Sequence, residues 1–157
     1  MLDKTGVPTP DQVRSRFPAE NDLLRPKAIL ECYEDIPCNP CSTNCPFQAI
    51  VIGEDINAQP RLIVERCTGC GLCVAVCPGL AIMTAGLKND RAVFQIPYEL
   101  LPLPQVGEEW VGLDREGRPL GPARIEKIVR KTDRTNVVTV SLEARHLYAF
   151  ATVRCPR

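Results

Sequence analysis

The stretch Cys67-Thr68-Gly69-Cys70-Gly71-Leu72-Cys73-Val74-Ala75-Val76-Cys77-Pro78 decides how the chain is read. Its four thiols are spaced so that three can wrap one small inorganic body while the fourth points away from it. Gly69 and Gly71 let the loop coil with little steric cost. Backbone N–H groups in such a loop turn toward the negative charge they enclose. Pro78 stops the run and contributes no competing N–H.

An incomplete copy of the same run lies upstream. Cys38-x2-Cys41-x3-Cys45-Pro46 supplies the last three cysteines, but Asp35 occupies the position of the first, and Cys32 lies three residues earlier. Aligning the entering segments, Ile29-Leu30-Glu31-Cys32 against Val64-Glu65-Arg66-Cys67, sets Cys32 opposite Cys67 with a three-residue insertion after it. The exits match too, Cys45-Pro46-Phe47-Gln48-Ala49-Ile50 against Cys77-Pro78-Gly79-Leu80-Ala81-Ile82. Residues 27–85 therefore read as an internal duplication, each unit a strand, a cysteine loop and a further strand.

In these residues, about a third of the chain, the sequence resembles the bacterial-type dicluster 4Fe-4S ferredoxins. The resemblance implies an α+β fold with a ferredoxin-like, pseudo-twofold βαββαβ core that holds two 4Fe-4S clusters by crossed ligation. Cluster one would sit on Cys32, Cys38, Cys41 and Cys77, and cluster two on Cys67, Cys70, Cys73 and Cys45. For the displaced corner of cluster one, an Asp35 ligand or a three-iron cluster are the alternatives to Cys32.

Other uses of the thiols fit less well. Zinc sites pair two separated C-x2-C knuckles, an order this run lacks. A disulfide framework belongs to an oxidising compartment, and the polar, proline-bearing N-terminus has no secretory apolar core, so the chain is expected in the cytoplasm. Cys155 has no nearby cysteine and reads as a packed thiol. The lone His146 reads as a surface or packing residue. No G-x-G-x-x-G follows a strand to hold a dinucleotide. Nineteen basic residues balance nineteen acidic ones, which leaves no field for a nucleic-acid backbone. Apolar runs such as Leu72 to Cys77 fall far below the roughly 20 residues of a membrane span.

The chain divides into an arm (1–26), the dicluster ferredoxin domain (27–90) and a small β-rich, barrel-like docking domain (91–157). In the arm, Thr9-Pro10-Asp11-Gln12 starts a short helix through a capping box, ended early by Pro18. Strands are expected at 92–96, 109–113, 123–129 and 136–142, with 97–105 as an irregular linker. Residues 1–90 carry eight Lys/Arg against eleven Asp/Glu, net −3, and residues 91–157 carry net +3. Two oxidised clusters, each about −2 with its thiolates, would bring the first part near −7.

A free ferredoxin needs little beyond its core, so the additions suggest docking surfaces. The leading expectation is a non-catalytic electron-transfer subunit that relays single electrons between a flavoprotein dehydrogenase subunit and another acceptor. The stretch from Glu31 to Cys41 followed by a β-rich tail resembles the small ferredoxin-type subunits that accompany flavin-dependent amino-acid dehydrogenases of the proline, hydroxyproline or opine type. The alternatives are a free-standing soluble ferredoxin and a structural or redox-sensing iron-sulfur protein.

Overall fold

The computed structural model describes residues 1–156. Helix α1 (Pro10–Arg16) begins with the expected capping box: Thr9 Oγ1 accepts the Gln12 N–H at 3.2 Å, and the Thr9 N–H donates to Gln12 Oε1 at 2.8 Å. It ends at Phe17, directly before Pro18. A 3₁₀ turn at Glu20–Leu24 then buries Leu23 completely.

The cysteine-bearing region follows as β1 (Lys27–Leu30), α2 (Pro40–Thr43), β2 (Ile50–Val51), β3 (Arg61–Leu62), α3 (Leu72–Val76) and β4 (Ile82–Lys88). β1 pairs antiparallel with β4, Lys27 opposite Ala85 and Leu30 opposite Ile82, and β2 pairs antiparallel with β3. The second entry strand is shorter than its apolar residues suggest. After Leu62 the chain tightens into a 3₁₀ turn, Val64–Arg66, whose cap N–H at Cys67 donates to Val64 O and swings Cys67 into its loop. The duplicated Cys-Pro-x-x-Ala segments share one turn. Gln48 and Leu80 both adopt the left-handed conformation (φ 50° and 51°), and their N–H groups donate to Cys45 O and Cys77 O, each at 3.2 Å.

Five more strands complete the chain: β5 (Arg91–Tyr98), β6 (Glu109–Asp114), β7 (Pro119–Arg130), β8 (Asn136–Glu143) and β9 (Phe150–Arg154). With β1 and β4 they form one antiparallel sheet in the order β1-β4-β5-β8-β7-β6-β9. β4 and β5 are joined by a tight turn, where Asn89 and Asp90 have the positive φ of a twist-matched hairpin.

This shared sheet separates two apolar cores. On one side Ala28, Leu30, Ile82 and Val74 pack with Cys41. On the other, Ile29, Met83 and Ala85 join the side chains of β5 to β9, including Phe94 and Phe150 with ring centroids 4.5 Å apart. Burial on both faces is why β4 reads as an almost unbroken apolar run rather than an alternating one. Where β1 ends, the Arg115 guanidinium binds the Glu31 carboxylate, with Nε 2.8 Å from Oε2, and also donates to Tyr148 O and Ala149 O.

Candidate metal centre

The eight cysteines of residues 27–85 gather into two groups. Cys32 feels the charges of Cys77 and Cys38, and Cys41 those of Cys77, Cys38 and Cys32. Cys73 feels Cys67, Cys70 and Cys45. Cys45, Cys67, Cys70 and Cys73 also line one cavity together with Ala28 and Ala49. Each group combines three cysteines from one loop with the Cys-Pro cysteine of the other. Asp35 takes a different position, exposed, with Oδ1 accepting Gln59 Nε2 at 3.0 Å. Cys155 packs against the C-terminal core, as expected of a leftover thiol.

Each loop is shaped by local geometry. Gly69 (φ 71°) and Gly71 (φ 79°) both have left-handed backbone that favours glycine, and at Gly69 a Cβ would also strike the Pro26 carbonyl oxygen. Gln95, on β5, donates through Nε2 to Gly69 O at 2.9 Å and braces this loop from the C-terminal region. The repeated alanines have a function that their small size conceals. Ala49 N–H donates to Cys45 Sγ at 3.3 Å, Ala81 N–H to Cys77 Sγ at 3.4 Å, and Ala28 N–H to Cys67 Sγ at 3.4 Å. Such bonds hold sulfurs in place and favour negative charge on them.

Electrostatics tests whether the sites suit a metal cluster. Burial, followed by the neighbouring thiolates, pushes Cys41 up to about 11 and Cys73 to about 12, and raises Cys32 for the same reasons. Buried thiols that oppose one another's ionisation need a compact positive body to become thiolates together, which an iron-sulfur core supplies. Among the described residues no three His, Cys, Asp or Glu side chains converge as they would on a single ion.

The polar supports were not legible in the sequence. Arg16, Lys27, Gln59 and Gln95 lie in different segments, and their contacts with the loops span 16 to 40 residues. No spacing rule reaches across such separations.

Comparison with known proteins agrees with this geometry. A family described as "4Fe-4S dicluster domain" matches residues 36–92, which contain seven of the eight grouped cysteines and leave out Cys32. The chain is 54% identical over 44 residues to a subunit of the Na(+)-translocating ferredoxin:NAD(+) oxidoreductase complex of Acetobacterium woodii, covering 28% of this chain and 12% of that protein. It is 40% identical over 58 residues to the ferredoxin-type protein NapF of Haemophilus influenzae, covering 36% of this chain and 33% of that one. A ferredoxin of Pyrobaculum islandicum is 37% identical over 81 residues, 48% of this chain and 74% of the ferredoxin. No solved structure matches the chain. Among the described residues no helix is long and apolar enough to cross a membrane. Two cysteine groups suited to iron-sulfur cores, the matched dicluster domain and a ferredoxin relative covered over most of its length lead to one conclusion: the chain belongs to the ferredoxin family, an iron-sulfur electron-transfer protein with two 4Fe-4S clusters.

Proposed function

We propose that the chain is the electron-relay subunit of a larger cytoplasmic oxidoreductase, passing single electrons between a flavoprotein dehydrogenase subunit and another acceptor. In this reading Cys32, Cys38, Cys41 and Cys77 hold cluster one, and Cys67, Cys70, Cys73 and Cys45 hold cluster two, in a pseudo-twofold core. When bound, the clusters supply one-electron transfer. The protein's part is to supply the thiolates, to aim the N–H groups of Ala28, Ala49 and Ala81 at sulfur, and to limit water. Among partner dehydrogenases, the flavin-dependent amino-acid class is the one the Glu31 to Cys41 stretch favours.

One observation carries the subunit reading. The dicluster region is joined through β4 to a β-rich region as large as itself, which adds no cysteine group yet exposes Leu100 (68%), Leu101 (86%) and Val106 (64%) on one loop. Exposed apolar side chains clustered at a loop suit a protein contact. Two relatives named as parts of complexes, the Acetobacterium woodii protein and a subunit of the ion-translocating oxidoreductase complex of Methanosarcina acetivorans, support membership of an assembly. The Pyrobaculum ferredoxin favours the second reading, a free carrier.

Purification under native, anaerobic conditions tests the proposal. A stoichiometric flavin-containing chain should co-purify, and its flavin should reduce the clusters when its substrate is added. A monomer that exchanges electrons with many reductases and retains no flavoprotein would establish the free carrier instead.

A further inference from the structure

Two cations from outside the cysteine loops occupy equivalent places on the two repeats. Arg16, at the end of α1, donates to Cys32 O at 3.1 Å. Lys27, the first residue of β1, donates through Nζ to Cys67 O at 2.7 Å and to Val64 O at 3.0 Å. Cys32 and Cys67 are the corresponding first cysteines of the duplicated unit. Each loop therefore has one positive side chain bound to the carbonyl of its leading cysteine.

Neither cation sits in an ion pair. The ion pairs among the described residues involve Arg115, Arg118, Arg124 and Arg145, and none includes Arg16 or Lys27. Arg16 spends its other hydrogen bond on the neutral Gln59 side chain, lies over the Tyr33 ring at 5.0 Å, and has a buried Nε with no partner. Gln59 in turn donates to Tyr33 O at 2.8 Å and to Asp35, tying the inserted loop after Cys32 to the arm. Lys27 has only carbonyls as partners. Both side chains are half-buried, so water screens them less than it would surface charges.

We infer that Arg16 and Lys27 are matched positioning residues, each fixing the leading cysteine of one cluster and raising the reduction potential of that cluster alone. This rests on the ligand assignment proposed above. Adding an electron makes a cluster more negative, and a nearby unpaired cation favours the more negative state. The arm thereby acts on cluster one and the first strand on cluster two, so the two potentials can be set independently.

Potentiometric titration of the intact, iron-loaded protein, followed by EPR, tests the assignment. Arg16→Gln should lower the reduced-to-oxidised ratio of cluster one about tenfold at fixed applied potential, equal to about 59 mV for one electron, and leave cluster two in place. Lys27→Gln should do the reverse. Arg16→Lys and Lys27→Arg keep the charge and should keep the potentials. The inference is overturned if neither glutamine variant moves a couple, if both couples move together in each, or if the charge-keeping variants behave like the glutamine ones. Iron and sulfide are quantified in each sample. Full content with unmoved potentials defeats the inference alone, whereas a wild-type chain without two reducible clusters defeats the reading beneath it.

Discussion

Cys32 and Asp35 are the two candidates for one corner of one cysteine group, and their side chains lie differently. Cys32 lies among Cys38, Cys41 and Cys77, while Asp35 turns out to Gln59. Cys32→Ala should therefore cost cluster one its four-iron EPR signal, and Asp35→Asn should leave signal and iron content unchanged. The reverse pattern would move the ligand to Asp35. Spacing picked out seven cysteines and strand alignment proposed the eighth, because a covalent loop dictates its own ligand intervals. Nothing local announced Arg16, Lys27 or Gln95, whose roles arise only when distant segments pack. A second residue-scale prediction concerns Glu108. Its carboxyl is held below the ordinary 4.5 by the Gln105 N–H and then by the Trp110 indole N–H, 2.9 Å away. A lowered folded pKa gives a contribution that is complete above the unfolded value and is lost as pH falls through the folded one. Trp110 is the only tryptophan, so its emission in the iron-free protein should hold steady above 4.5 and change below it. Glu108→Gln should abolish that step.

β1 and β4 are the elements on which the architecture depends. Alternate residues of β1 enter opposite cores, Ala28 and Leu30 one and Ile29 the other. Ile29→Ala opens a cavity on the C-terminal side only, and should cost about 3 kcal/mol in denaturant unfolding while leaving iron content intact. Parallel loss of iron would mean that the two cores do not behave separately. Legibility followed how local each element's cause is. The capping box marked α1 because its partners are three residues apart. The alternation of Ala92, Phe94 and Ile96 marked β5, whereas its last two residues, Pro97 and Tyr98, fall in the stretch expected as an irregular linker. The start of β7 was hidden, since Pro119, Gly121 and Pro122 read as turn residues. They are accommodated where the pairing with β6 shifts register between Gly112 and Leu113. β9 was missed entirely: with only Phe150 and Val153 buried, its short edge pattern is set by β6 rather than by its own sequence.

At the scale of the whole molecule, the two cores predict an uneven response to metal removal. Cys41, Cys67, Cys73 and Cys77 contribute to or pack against the first core, whereas the second draws only on Cys155. Chelation of the iron under oxidising conditions should raise amide exchange in α2, α3 and the β2–β3 pair, while β5 to β8 stay protected. Uniform loss of protection would make the chain a single metal-folded unit. The sequence divides into arm, cluster region and β-rich region by composition, whereas the hydrogen-bonded sheet runs straight across the second boundary. That continuity governs what a fragment would do. A chain cut after Asp90 would keep every grouped cysteine, but it would strip the partner strand from Thr84 to Lys88 and bare the undersides of Ile29, Met83 and Ala85. A raw strand edge beside a greasy face recruits its own kind. The fragment is expected to sediment as self-associated species, so the smallest piece that contains the electron path is not the smallest piece that can stay solitary.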